Sequence, residues 1–367
     1  MNYGIDERLS RLKNRRMDAT NDVLRDRAFV ESFEHRTQNK ATKYALGSMQ
    51  EVDPRSTEIS YEEAKKVENA LCERLPKHSL WPVFRLQGSV PLNIHIRGVS
   101  DVDLLEIHGR YFTYSTAGVA VGTYGAVGTG ISVVQEVLNM RSVSEEELRT
   151  HFWGATVDTT NAKSIQLSDG AFRRKVDVVP SHWFDSADYQ LQKNEIFRGV
   201  TVVDKFTKET TDNFPFLFAH HINQKALATK DGAKMAIRLL KNIKSDSDDE
   251  IALSSYDIAS LMFHCPDNLI TRQVARDLSI LSGAENWLSS LCGARQFAED
   301  LMTPDRTRRI LDKAEKWDGL GILSKNLTEL SLEVDREIAG PYVFGDRDLG
   351  DVRKNLNESQ IPLVPNM

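Results

Sequence analysis

The sequence predicts an α+β chain whose first half mixes helices with short strands and whose second half is helical. Three observations predict it. Apolar residues recur at three- and four-residue spacing in "STEISYEEAKKVENALCERLP" and throughout the stretch after residue 204. Between these lie "VFRLQGS", "GVSDVDLLEIH", "KSIQLS" and "FRRKVDVVPSHWF", short β-rich runs bounded by turn residues. With 367 residues, 40% hydrophobic and 27% charged, the chain is long enough for two domains, and the change of pattern places them at 1–203 and 204–367.

The first forty-odd residues are charged, with Leu9, Leu12, Val23, Leu24, Phe29, Val30 and Phe33 at helical spacing, and read as a solvated helix. "STEISYEEAKKVENALCERLP" opens on capping residues, carries Ala64, Val67, Leu71 and Leu75, and stops at Pro76. "VSEEELRTHFWGA" interrupts the strands as a helix, with Ser144 as its cap and Glu147 completing a capping box. Past residue 204 strand signals vanish, and "GAKMAIRLLKNIK", "SSYDIASLMFHC", "RQVARDLSILSGAENWLSSLC" and "LTELSLEVDREIAG" follow as helices. There is no internal repeat.

Composition excludes several classes. No run reaches the ~18 uncharged apolar residues of a membrane helix, and "MNYGIDERLSRLKNRR" has no signal-peptide core, so a cytoplasmic address is expected and no membrane partner. Cys72, Cys265 and Cys292 lie far apart and outside any CxxC spacing, which predicts buried, reduced thiols. A net charge of −6 disfavours a nucleic-acid polymer as partner.

The chemistry is concentrated in "LQGSVPLNIHIRGVSDVDLLEIH", residues 86–108. Asp is poorly suited to a strand interior, yet Asp101 and Asp103 interrupt an apolar run. Alternating strand geometry projects both carboxylates to one side, ~7 Å apart and converging on one point, with Val102 and Leu104 toward the core. Unpaired they repel, whereas a divalent cation offsets the repulsion with oxygen coordination of the kind Mg²⁺ accepts. "RRKVDVVPS" offers a third carboxylate, Asp177, in another Val-rich strand. Gly88 lets backbone N–H groups approach phosphate oxygens and Ser89 adds a hydroxyl donor, so turn, carboxylates and Mg²⁺ together predict a nucleoside triphosphate site.

"GS", "SDVDLL" and "RRKVDVVP", in that order and spacing, resemble the core of the DNA polymerase β type nucleotidyltransferases. Within them, the chain resembles the cyclic GMP–AMP synthase and DncV-like enzymes (bacterial CD-NTases), which make nucleotide second messengers. The resemblance implies a polymerase β-like core with a mixed sheet, a C-terminal helical lobe, and an active site in the cleft between them. It implies that Gly88 and Ser89 hold the donor phosphates, that Asp101, Asp103 and Asp177 bind Mg²⁺ with Mn²⁺ as a substitute, and that Asp177 is the base. The chain departs from the "PTNT" that often follows GS in bacterial relatives, carrying "PLNIHI" with Asn93 and His95. "KMAIRLLKNIK" followed by "SSYDIASLMFHC" extends the likeness, which implies that Lys234 and Ser255 touch the triphosphate and Tyr256 stacks on a base. Independently, Lys234, Arg238 and Lys241 at spacings of four and three predict a cationic stripe on one helix face.

Two function classes follow. The first is an enzyme joining NTPs (ATP, with GTP or pyrimidine NTPs) into a small cyclic or linear oligonucleotide; the resemblance implies a cyclic di- or trinucleotide, a role in bacterial anti-phage signalling, a separate effector for the product and a regulatory protein among the partners. The second is a nucleotidyltransferase that modifies a macromolecule, a tRNA-tailing enzyme or an AMP-transferring toxin. The glycine-dense "GVAVGTYGAVGTG" has neither a P-loop lysine nor a GxGxxG register and reads as a surface loop. His220 and His221 have no partner at zinc spacing, and His182 and Trp183 read as a strand end in the core.

Overall fold

The computed structural model describes residues 4–16, 33–96, 101–124, 132–339 and 347–363. Val23, Leu24, Phe29 and Val30 of the expected first helix, residues 98–100 of "GVSDVD", and residues 125–130 of the glycine-dense run lie outside the described residues. In chain order the elements used below begin α1 (Ile5–Arg16), α2 (Lys40–Met49), α3 (Pro54–Arg74), β1 (Pro82–Gln87), β2 (Val102–Tyr114), α4 (Val133–His151), β3 (Thr156–Asp158), β4 (Ile165–Ser168) and β5 (Val176–Asp185). They continue with β6 (Gly199–Val203), β7 (Thr210–Asn213), α5 (Pro215–Ala228), α6 (Gly232–Ser245), α7 (Ser255–Phe263), α8 (Leu278–Gly293), α9 (Ala314–Ala339) and α10 (Leu349–Glu358).

The chain forms two compact units: Arg55–Leu92 with Ser100–His220, and Met1–Pro54 with Asn93–Val99 and His221–Met367. The change of sequence pattern places a boundary at 203/204 and puts the N-terminal helix with the strands; these units divide within α5 and give the first 54 residues to the helical part. Burial explains the difference. In α1, Leu12 is only 1% exposed, so the helix is not solvated all round. Its Arg15 guanidinium lies 2.5 Å from the Asp246 carboxylate, and the Tyr44 hydroxyl of α2 donates to the same group at 2.8 Å. Charge-assisted bonds of this kind tie α1 and α2 to the end of α6.

In the sheet unit, seven strands among the described residues form one sheet in the order β1-β2-β5-β4-β3, with β6 pairing to β5 and β7 to β6. Only β2 and β5 run parallel; β4 pairs with residues 176–178 of β5 and β6 with residues 181–184. Pro180 falls in the gap between those two pairings, where a missing N–H is tolerated inside a strand. One face, with Val102, Leu104, Val176 and Val178, packs on Val67 and Leu71 of α3 and Met140 and Leu148 of α4. The other carries Leu105, Ile107, Val179, Trp183, Val200 and Val202. Mixed sheet plus helices is the α+β architecture expected.

Local corrections have simple causes. Ser144 is not a cap: α4 starts at Val133, where the Ser132 side chain accepts from Gln135 N, and Ser144 is buried inside the helix. Pro54, suited to a first helical turn, starts α3 ahead of the expected serine cap. β7 lies past residue 204 and was silent because Thr210–Asn213 is exposed throughout and has no apolar alternation. His182 and Trp183 are both buried, as their core reading requires. Of the three cysteines expected to be buried only Cys265 is; Cys72 and Cys292 fall on the outer faces of α3 and α8 and are exposed.

In the helical unit, α6 is buried over most of its length and packs against α2, α7, α8 and α9. Among the described residues no helix is long and apolar enough to cross a membrane.

Candidate active site

Asp101 immediately precedes β2, Asp103 is the second residue of β2, and Asp177 is the second residue of β5. In the parallel pairing of these strands, Val102 stands opposite Val176 and Asp103 opposite Asp177. Side chains alternate along strands, so Asp103 and Asp177 share the face of Leu105 and Val179 while their neighbours enter the helix-covered core. The apolar run thus anchors the backbone on both sides of each half-buried carboxylate.

Gln87, the last residue of β1, is the register partner of Asp103, and Gly88 follows at φ +79°. A Cβ on Gly88 would stand 2.2 Å from Asp103 Oδ2. The left-handed backbone favours glycine, and a side chain at this position would push the Asp103 carboxylate aside. Ser89 is half-buried in the same turn.

Burial pushes the Asp101 carboxyl above the usual carboxylate range, against the pull of Lys175. Burial also raises Asp177, helped by the charge of Asp101 and opposed by a hydrogen bond from Gln166. Gln166, in β4, is the antiparallel register partner of Asp177. Its amide Nε2 donates to Asp177 Oδ1 at 3.2 Å and, more weakly, to Asp101 Oδ2 at 3.4 Å. Sequence reading missed it: a polar residue between Ile165 and Leu167 marks an alternating strand, but not the strand it pairs with.

The expectation that the carboxylates converge on one point is modified by this arrangement. Asp103 lies against Gly88, Asp101 and Asp177 share Gln166, and among the described residues no three His, Cys, Asp or Glu side chains stand close enough to hold one metal ion. The like charges repel, and Asp103 stands against Gly88 while Asp101 and Asp177 are bridged by one amide. The donor set itself, half-buried carboxylate oxygens, suits a hard divalent cation.

Lys234, Ser255 and Tyr256 belong to the helical unit. The cationic stripe of Lys234, Arg238 and Lys241 is corrected: Arg238 and Lys241 are 1% and 3% exposed. Arg238 donates to Met49 O, Asn93 O and Asp231 Oδ2 at 2.8, 2.8 and 2.9 Å, and Lys241 donates to Ile94 O at 2.8 Å. Their charges are spent inside the unit, on carbonyls of α2 and of the "PLNIHI" stretch, where Asn93 takes φ +54°. Lys234 remains half-buried, its pKa lowered by burial against the pull of Asp231, and among the described residues no hydrogen bond or ion pair holds its amine.

Ser255 is the exposed first residue of α7; the capping box is made by Ser254 and Asp257, which leaves the Ser255 hydroxyl outside it. The half-buried Tyr256 has its pKa raised by burial and by a hydrogen bond to Asp305. The Arg308 guanidinium lies 5.5 Å from its ring centroid and is tied to Asp257 at 2.7 Å. A cavity of about 700 Å³ lined by Ser254 and Asp257 but by neither Ser255 nor Lys234 carries five carboxylates (Glu250, Asp257, Asp312, Glu315, Asp318) against Arg308, Lys313 and Lys316, and this balance makes it a place apart from any triphosphate contact of Ser255.

Residues 220–321 match the family described as the cGAS/DncV-like nucleotidyltransferase C-terminal helical domain. The chain is 42% identical to a cyclic dinucleotide synthase, CdnE, of Yersinia aleksiciae over 88% of this chain and 84% of that one. It is 32% identical to a c-di-GMP synthase of Capnocytophaga granulosa over 63% of this chain and 69% of that one. The solved structure of a STING-associated CdnE c-di-GMP synthase from Capnocytophaga granulosa superposes with TM-score 0.72 at 25% identity, covering 89% of this chain and 97% of that one. The family works with NTP substrates and a divalent metal ion. On this likeness the chain belongs to the cGAS/DncV-like nucleotidyltransferases, enzymes that join nucleoside triphosphates into cyclic oligonucleotides, and is itself such a synthase.

Proposed function

We propose that the chain condenses two nucleoside triphosphates, GTP among them, into a cyclic dinucleotide, with Asp101, Asp103 and Asp177 as its catalytic carboxylates and metal ligands. The observation that carries the site is the register of Asp103 with Asp177 on parallel strands, with Gly88 packed against Asp103. The product reading is supported by the activities named for the relatives.

The metal is Mg²⁺, with Mn²⁺ as a substitute, and it supplies charge neutralisation at the triphosphate. Asp177 accepts the proton of the acceptor ribose hydroxyl, a task that burial favours by making the carboxylate more basic. The hydroxyl oxygen forms a bond to the α-phosphorus as the bond to the bridging oxygen breaks and pyrophosphate leaves; a second such step closes the ring. Gly88 N–H and the Ser89 hydroxyl donate to donor phosphates, Lys234 and the Ser255 hydroxyl at the start of α7 bind the triphosphate, and Tyr256 stacks on a base. The enzyme acts in the cytoplasm in bacterial anti-phage signalling, answering to a regulatory protein, and its product activates a separate effector.

The test is product analysis by mass spectrometry after incubation with Mg²⁺ and each combination of NTPs, with and without total RNA. A phosphatase-resistant cyclic dinucleotide from NTPs alone is expected. Label found only in RNA or protein would transfer the chain to the macromolecule-modifying class.

A further inference from the structure

We propose that Gln166 is a positioning residue that holds Asp101 and Asp177 side by side for the divalent ion; this rests on the proposed carboxylate site. Two half-buried carboxylates of like charge that meet at one amide would each lower their energy by turning apart. One primary amide reaches both, with Nε2 3.2 Å from Asp177 Oδ1 and 3.4 Å from Asp101 Oδ2. Its two hydrogens allow one donation to each carboxylate, and each carboxylate retains further lone pairs for a cation. The amide is neutral, so it tethers the pair without cancelling the charge that attracts the ion. Its own place is fixed by the strand: Gln166 stands in register with Asp177, between Ile165 and Leu167, both 0% exposed. The sheet therefore delivers the amide, and the amide sets the two rotamers.

The probe is Mn²⁺ binding to the nucleotide-free protein, read by electron paramagnetic resonance and by the rise in melting temperature with added Mn²⁺. Gln166→Met keeps length and bulk and removes both donors; Gln166→Ala serves as a second variant, and the far-ultraviolet circular dichroism of each is compared with wild type. Loss of a partner that orients a metal ligand costs about tenfold to a hundredfold in metal affinity. The half-saturating Mn²⁺ concentration is expected to rise by that factor in both variants, while the NTP KM at saturating Mn²⁺ stays at the wild-type value. Wild-type Mn²⁺ affinity in a folded Gln166→Met protein overturns the proposal and leaves the carboxylate site standing. A wild-type Mn²⁺ site indifferent to Asp177→Asn and Asp103→Asn overturns the carboxylate site and this proposal together.

Discussion

The Ser144 hydroxyl of α4 donates a 2.6 Å hydrogen bond to Glu106 on β2, a carboxyl with no exposure to solvent. Glu106 Oε2 has no partner among the described residues, and burial pushes the group up to about 8, with Ser144 and Arg141 pulling the other way. The sheet therefore contains a carboxylic acid that is neutral at pH 7, three residues along the strand from Asp103.

A raised carboxyl binds its proton more tightly folded than unfolded, so its stabilisation is complete below the unfolded value near 4.5 and is lost as pH climbs through about 8. Thermal melts from pH 5 to 8.5 should show wild type losing stability on the alkaline side. Glu106→Gln should remove that slope, at a cost of about 1–3 kcal/mol near pH 5 for any unpaired amide group. A wild-type curve flat through this range would show that Glu106 titrates normally.

Asp101→Ala with Asp103→Ala should abolish nucleotide transfer while the protein stays folded. Removing two of the three repelling charges should leave the melting temperature of the metal-free double variant equal to or above that of wild type. Measurable wild-type turnover in the double variant would remove these residues from the chemistry.

Lys234 and Arg238 are one helical turn apart and should behave in opposite ways. Lys234→Ala should fold normally and raise the NTP KM. Arg238→Ala should lower stability by about 3–5 kcal/mol, because it leaves Asp231 and two carbonyls without their buried donor. Urea unfolding and NTP kinetics on both variants make the comparison, and equal stabilities would contradict it.

Tyr256→Ala should raise the nucleotide KM about tenfold or more, since base stacking is worth ~1–3 kcal/mol. Tyr256→Phe keeps the ring but loses the hydroxyl bond to Asp305, so it should cost ~0.5–1.5 kcal/mol of stability with the KM unchanged. A KM unchanged in a folded alanine variant would make the ring purely structural.

The candidate carboxylates were legible because Asp inside Val- and Leu-rich runs of sequence contradicts local preference, and such contradictions cluster at functional positions. Gly88 was legible for a related reason, although the neighbour that excludes its side chain is Asp103. Gln166 was not legible, since its meaning depends on β4 lying beside β5, a pairing that no local pattern encodes. The same blindness applied to Arg238 and Lys241. Helical spacing placed them on one face with Lys234, but only the packing of "PLNIHI" and α2 against α6 shows that this face is inside. The N-terminal helix was misread in the same way, because two buried leucines among many charges look wet until a partner is known.

The discontinuous make-up of the helical unit has a consequence for biosynthesis. As the chain emerges from the ribosome, α1 and α2 come first, yet the Asp246 that receives Arg15 and Tyr44 is translated some two hundred residues later. The sheet unit, by contrast, is complete in sequence once His220 has been added. The nascent protein thus carries Arg8, Arg15 and Tyr44 without their later partners Glu333 and Asp246 while the sheet unit can already fold. Expressing residues 1–203 alone would make that waiting state permanent.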